Sequence, residues 1–275
     1  MIDYCTILFD ERERVLFPLH INSLRHYMPG VFNIKVSVRP EDTGAIELCE
    51  KFGVEPLLHP VYTQSPGKKL EGYCGARAGF DVANRHDLLM KACTSDWVVL
   101  SHMDIVWTSD MISKIKPYMT DEYGVLGHHP GGCFAVNWKA YGECHAGFWN
   151  YSFGGQLWTD AGENEPWVRL VGVGPQEIVY YPEYPKARCS RISVATVDVG
   201  IMLELEMQSY GYRVVREAMH YMLEHIGGGS YHSRGGVADF KSEPMSEGEI
   251  ADHKVVYDNA QAFLDKFAMF KGEEE

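Results

Sequence analysis

Strand-like and helix-like segments alternate through the first hundred residues, and this alternation restricts the chain to a small group of folds. Strands are predicted at 4–9, 32–38, 54–59 and from 97 onward, with helices between them at 14–30, 43–53 and 76–93. Strands separated by helices in this way form βαβ units, whose strands lie parallel in one sheet. The sequence therefore predicts an α/β protein with a mostly parallel central sheet flanked by helices.

The second half of the chain has a weaker periodic pattern. Residues 141–175 are rich in glycine and aromatic residues and follow no clear period, which favours an irregular binding surface. A helix at 198–211, a strand at 212–215, a Gly-rich loop at 225–240 and a C-terminal helix within 246–270 are predicted after it. No linker interrupts the composition, so a single domain spanning 1–275 is expected.

Charge and cysteine content restrict the function and the compartment. The net charge of −13 argues against broad nucleic-acid binding, which requires a basic surface. The seven cysteines are scattered and include no Cys-x-x-Cys pair, so neither a disulfide scaffold nor a structural zinc site is expected. The first residues do not resemble a signal peptide, and no apolar run reaches the roughly 18 residues of a membrane span. These features predict a cytoplasmic protein without a transmembrane segment.

The segment "WVVLSHMDIVW" at 97–107 contains the strongest candidate for a site. Its apolar start is typical of a strand buried on both faces, and ligands bind beyond the carboxyl ends of such strands. His102 and Asp104 are one strand pleat apart there, so both side chains are expected to point the same way. Carboxylate oxygen suits Mg²⁺ or Mn²⁺, and imidazole shifts the preference toward Mn²⁺ and later metals. The alternative is that the two side chains only cap a turn and the next helix.

Four ordered segments carry a resemblance to a known family. They are "NRHDLLMKACTSDWVVLSHMD", "MDIVWTSDMISKI", "YGVLGHHPGGCFAVNW" and "GYRVVREAMHYMLEHIGGGSYH". In this order they resemble GT-A-fold glycosyltransferases of the broad family-2 type, over about residues 4–232. The likeness includes Asn84, eighteen residues before His102, and His225 ahead of a Gly-rich run.

Two features depart from the family pattern. His102 stands where the first carboxylate of the family's Asp-x-Asp is found. The usual Glu-Asp pair is absent, and "TVDVGIMLELEMQSYG" offers only the acids Asp198, Glu204 and Glu206. The match is therefore to a fold and a reaction class.

The resemblance implies a single GT-A (Rossmann-like) domain. Its nucleotide-sugar-binding half would be about 1–107, and its acceptor half with a Gly-rich lid about 108–240. The implied activity is metal-dependent transfer of a sugar from a nucleoside-diphosphate sugar to an acceptor hydroxyl, with inversion. Mn²⁺ or Mg²⁺ would be bound by Asp104, with His102 and His225 as further ligands, and would act as a Lewis acid on the leaving diphosphate.

The same resemblance implies a set of donor-binding residues. The nucleotide would lie over the ends of the first strands, and cationic side chains would add charge to the diphosphate. The candidates are Phe9, Asp10, Arg39, Asp42, Arg77, Asn84, His102 and Arg234. An Asp after a strand, such as Asp42, is also an ordinary turn residue.

Catalytic and acceptor residues are expected in the second half. Asp198 is the candidate catalytic base, although an Asp opening a helix is equally a common N-cap, and Glu204 is the second candidate. Trp138, Trp149 and Trp158 belong to an aromatic cluster suited to stacking on rings. The acceptor could be a saccharide, a lipid-linked glycan, a protein side chain or a modified nucleobase.

Three other functions compete with glycosyl transfer. A nucleotidyltransferase usually has a Gly-rich loop after its first strand, whereas "LFDERERV" contains no glycine. A metal-dependent hydrolase would require more His and Asp ligands at several strand ends. In a noncatalytic nucleotide- or sugar-binding module, Asp104 would support only a turn.

Overall fold

The structure is a computed structural model. It describes residues 1–8, 13–59, 82, 85–127, 132–144, 203–204, 207–208, 210–215, 218–219, 221–225 and 261–272, and the backbone alone at 128, 156–158, 167–171 and 178–180. The strands are β1 Ile2–Ile7, β2 Phe32–Val38, β3 Glu55–Leu58, β4 Trp97–His102, β5 Ile105–Trp107, β6 Tyr123–His128, β7 Cys133–Asn137, β8 Gln156–Trp158, β9 Trp167–Val171, β10 Ile178–Tyr180, β11 Arg213–Val215 and β12 Leu223–His225. The helices are α1 Phe17–Tyr27, α2 Thr43–Lys51, α3 85–91, α4 Met111–Ile115, α5 Trp138–Glu143 and α6 261–266, with 3₁₀ turns at Glu13–Val15, Lys116–Tyr118 and Ala268–Phe270.

Seven strands form the central sheet in the order β11-β6-β7-β4-β1-β2-β3. β1 pairs in parallel with both β2 and β4, β2 pairs in parallel with β3, and β11 does so with β6. β7 is antiparallel to both of its neighbours, so the other six strands share one direction. The predicted α/β class with a mostly parallel sheet is confirmed.

The sheet is buried on both of its faces. Val98 and Leu100 of β4 belong to one apolar cluster, whereas Trp97 and Val99 belong to the cluster on the opposite face. A strand with this burial cannot show an alternating polar pattern, because neither face meets water. This accounts for the unbroken apolar run in the sequence and places the end of β4 at the edge of a rigid layer.

Helices α1 and α2 agree with the predicted periodicity but are shorter than the predicted segments. α1 begins at Phe17, where Pro18 occupies a position whose amide needs no partner within the helix. α2 begins after Asp42, whose side chain accepts a hydrogen bond from the Ala45 amide at 2.9 Å. The predicted helices at 198–211 and 246–270 are described only in part, and helical residues occur there at 203–204, 207–208 and 261–266.

Two further expectations concern membrane-spanning helices and disulfide bonds. Among the residues that the structure describes, none of the helices is both long and apolar enough to cross a membrane. Five described cysteines, Cys5, Cys49, Cys93, Cys133 and Cys144, are free thiols.

Candidate metal-binding site

The site lies where β4 ends at the carboxyl edge of the sheet. β4 stops at His102, and Met103 and Asp104 form a turn before β5 starts at Ile105. The expectation that one strand pleat aligns His102 with Asp104 is therefore wrong, because the chain turns between them. Asp104 is only 4% exposed, so its carboxylate faces the interior of the site.

Strand pairing brings a third side chain to this turn. β12 runs antiparallel to β5, and His225 lies directly opposite Ile105, the residue after Asp104. The Nε2 atom of His225 is 3.1 Å from Oδ1 of Asp104. The pairing thus joins two residues that are 121 positions apart in the chain.

His102, Asp104 and His225 form a group that can hold a metal ion. Each offers one ligand atom, and these atoms lie within 4.8 Å of one another. Ligand atoms about 2.1 Å from a cation lie roughly 3 Å from one another when their bonds to it are at right angles. Small side-chain rotations would therefore bring these three atoms within bonding distance of one cation. Two imidazoles and one carboxylate suit Mn²⁺, Fe²⁺ and later divalent metals better than Mg²⁺.

The His102 ring packs against a buried histidine of α3. Its plane stacks against His86 of α3 with ring centroids 6.4 Å apart, and His86 meets Phe134 edge-on. Burial lowers the pKa of His86 to about 3, and the nearby His102 acts in the same direction, so His86 is neutral at physiological pH. A neutral neighbour adds no positive charge against a cation bound by His102.

Gly132 lies directly against the His102 side chain. The His102 amide donates to the Gly132 carbonyl at 2.6 Å, and a Cβ on Gly132 would lie 2.5 Å from Nδ1 of His102. Gly132 also has a φ of +79°, a conformation that favours glycine. The close approach and the backbone conformation therefore require glycine at this position.

We expect Gly132→Ala to weaken Mn²⁺ binding on the order of tenfold, because the new methyl group displaces the His102 ring. Titration calorimetry with Mn²⁺ measures the change. Gly30→Ala is the matched control, since Gly30 has a φ of +69° but a Cβ placed there would meet nothing within 4 Å. Both variants should lose about 1 kcal/mol or more of stability from the backbone strain. Equal Mn²⁺ affinity in the two variants would contradict the role assigned to Gly132.

Three consecutive polar residues of α3 near this edge were not identified from the sequence as site candidates. Arg85, His86 and Asp87 are all buried, and Nη1 of Arg85 donates to the Ser37 hydroxyl at 3.2 Å. The Tyr141 hydroxyl donates to Oδ1 of Asp87 at 2.6 Å. A run of three buried polar residues covers more than half a helical turn, so it produces no amphipathic period. Its only sequence signal is the polar triplet directly before the apolar run Leu88–Met90 of the same helix.

Among the described donor candidates, Asp42 has structural partners of its own. Asp42 caps α2 and contacts the Arg14 guanidinium. A contact with a nucleotide base would have to be made alongside these two contacts. Arg39 is half-buried directly after β2, at the same edge of the sheet as His102. The remaining donor candidates, Phe9, Asp10, Arg77, Asn84 and Arg234, lie outside the described residues.

The structure does not bring Trp138 to the metal-binding group. Trp138 follows Asn137, which pairs with Trp97 at the start of β4, whereas His102 is at the other end of that strand. Its indole nitrogen donates to the Met90 carbonyl at 3.1 Å, and the acceptor contact expected of this residue stays a prediction. Glu204, the second candidate base, is buried at 3% exposure. Asp198 and Trp149 lie outside the described residues, as does the side chain of Trp158.

Comparison with known proteins gives similarity in structure only. No protein-family model matches the chain, and no curated protein sequence matches it. The mannosyltransferase PcManGT from Pyrobaculum calidifontis, solved with GDP-Man and Mn²⁺, aligns with 99% of this chain and 76% of its own, at 10% identity and a TM-score of 0.45.

Two further solved structures cover less of the chain. M. tuberculosis glucosyl-3-phosphoglycerate synthase covers 56% of this chain and 63% of its own, at 12% identity and a TM-score of 0.36. The galactosyltransferase LgtC, solved with donor and acceptor sugar analogs, covers 50% and 58%, at 12% identity and a TM-score of 0.37. This chain thus spans less than two-thirds of the length of either protein. Similarity at this level identifies no activity, so the case for a function rests on the residues of this chain.

Proposed function

We propose that the protein is a metal-dependent glycosyltransferase that moves a sugar from a nucleoside-diphosphate sugar to an acceptor hydroxyl. The observation that carries this proposal is the convergence of His102, Asp104 and His225 at the carboxyl edge of a mostly parallel sheet. Ligands of open α/β sheets bind at that edge, and a diphosphate there requires a counter-charge. One carboxylate and two neutral imidazoles leave a bound divalent cation with a net charge of +1, available for an anionic leaving group.

Each residue of the group has a defined task in this reaction. Asp104 supplies the one charged ligand, and its low exposure keeps water from competing for the carboxylate. His225 arrives from β12 and His102 from β4, so the cation would join two separate sheets. A divalent cation bound here supplies Lewis acidity to the departing phosphate oxygens.

Donor and acceptor recognition involve further residues. We assign Arg39 and Asp42 to the nucleotide, because both follow β2 at the same edge as the metal-binding group. Asp198 is proposed as the base that deprotonates the acceptor hydroxyl in an inverting transfer. Trp149 and Trp158 are proposed to stack on the acceptor.

Thermal unfolding with UDP, GDP, dTDP and CMP, each with and without Mn²⁺, tests the proposal. A ligand at about a hundred times its dissociation constant adds roughly 2.7 kcal/mol to stability. For a chain of this size we expect the melting midpoint to rise by several degrees for one diphosphate, and only when Mn²⁺ is present. No shift with any nucleotide, or the same shift without metal, would contradict metal-dependent donor binding.

A further inference from the structure

One edge of β5 is held by side chains rather than by a neighbouring strand. β5 pairs with β12 on one side, where the amide of Thr108 donates to the Met222 carbonyl at 2.9 Å. Because backbone groups alternate in direction along a strand, the carbonyl of Ile105 and the amide of Trp107 point away from β12. They point toward α1, and buried groups of this kind must find partners there.

α1 supplies both partners from one helical face. Nδ1 of His20 lies 2.7 Å from the Ile105 carbonyl oxygen, and the Trp107 amide donates to the Ser23 hydroxyl at 3.1 Å. His20 and Ser23 are three residues apart, so they lie side by side on the helix surface. Both are fully buried, and the Ser23 hydroxyl also donates to the His20 carbonyl at 3.0 Å. The two side chains thus replace a neighbouring strand.

The network leaves a single consistent set of donors and acceptors. The Ile105 carbonyl can only accept, so Nδ1 of His20 carries the proton. The indole nitrogen of Trp107 can only donate, and it donates to the Tyr4 hydroxyl at 3.0 Å. The Tyr4 hydroxyl, 3.0 Å from Nε2 of His20, then donates to that nitrogen. Burial lowers the pKa of His20 to about 4, although Asp104 acts in the opposite direction, so the ring is neutral.

We propose that His20 and Ser23 are positioning residues for the metal site, an inference that rests on the function proposed above. Ile105 is the residue after Asp104 and the cross-strand partner of His225. A fixed Ile105 carbonyl therefore fixes the backbone next to Asp104. It also fixes the strand register that places His225. His102, at the end of β4, is held independently by the central sheet, so the clamp formed by His20 and Ser23 decides whether the other two ligands meet it.

The test compares His20→Leu with His20→Asn in the whole chain. The Asn side chain places an amide nitrogen the same number of bonds from Cα as Nδ1, so it can donate to the Ile105 carbonyl, whereas Leu cannot. Mn²⁺ affinity is measured without nucleotide, by the electron paramagnetic resonance signal of free Mn²⁺. We expect His20→Leu to bind on the order of ten- to a hundredfold more weakly and His20→Asn to remain close to the original protein. The visible spectrum of bound Co²⁺ should change with Leu and be retained with Asn.

Two further variants separate positioning from general stability. Leu19→Ala, at the neighbouring fully buried position of α1, removes core packing without touching the clamp and should leave Mn²⁺ affinity unchanged. Ser23→Ala removes the other half of the clamp and should weaken Mn²⁺ binding. This variant replaces His20→Leu in the test if His20→Leu does not fold. Failure of the original protein to bind Mn²⁺ would overturn the metal site itself. Normal Mn²⁺ binding by His20→Leu, or by Ser23→Ala where Leu prevents folding, would overturn only the positioning role.

Discussion

The Asp104→Asn variant is expected to lose Mn²⁺ binding by at least about a hundredfold while keeping its fold. Removing hydrogen-bonded partners around a metal typically costs ten- to a hundredfold in affinity, and Asp104 is the only charged ligand in the group. Asparagine keeps the shape of the side chain but not its charge, so the two imidazoles would face the cation without a counter-charge. Calorimetric titration with Mn²⁺, followed by nucleotide titration at saturating Mn²⁺, measures both effects.

Asp121→Asn is the matched control for this variant. The Asp121 side chain is 87% exposed, so the same chemical change occurs there without altering the site. We expect Asp121→Asn to bind Mn²⁺ and nucleotide as the original protein does. If Asp104→Asn also binds them normally, Asp104 supports only a turn, and the glycosyltransferase proposal loses its principal observation.

Acidification from pH 7.5 to pH 5 is expected to lower the free energy of unfolding by at least about 4 kcal/mol. Most of this loss comes through the fully buried His20 and His86, and the rest through the half-buried His59, whose pKa burial also lowers to about 4. Burial lowers the pKa of His20 to about 4 and that of His86 to about 3 in the folded protein, against roughly 6.5 in the unfolded chain. Between these values the unfolded state binds protons that the folded state excludes, so stability is complete above about pH 6.5 and falls as the pH drops toward the folded-state values. At pH 5 each of these two fully buried rings contributes about 2 kcal/mol of this loss.

Urea unfolding at pH 7.5, 6 and 5 measures this loss. Most carboxylates have ordinary pKa values below this window, so the histidines dominate it. His20→Asn removes one titrating ring and should reduce the loss by about 2 kcal/mol. An unfolding free energy independent of pH, or an equal loss in His20→Asn, would contradict the assignment.

The sequence predicted the elements whose cause is local. β4 was identified because four consecutive apolar residues require burial on both faces, and α1 because its apolar residues recur with a helical period. The reversed direction of β7 was not predictable, because an apolar run indicates a strand but not which way the strand runs in the sheet. The turn at Met103 and Asp104 was also not predicted, since "SHMDIV" contains no proline or glycine to signal it.

What the sequence determined by itself is the class of fold and the side-chain chemistry of the candidate ligands His102 and Asp104, because strand burial and residue spacing are properties of neighbouring residues. His225 was named only through the family resemblance. Tertiary structure alone decided that His225 lies against Asp104, through the register of β12 on β5. It also decided that α1 presents His20 to the Ile105 carbonyl, across 85 positions of sequence. Such contacts depend on strand register and helix packing, which arise only when distant segments meet, and no local periodicity encodes them.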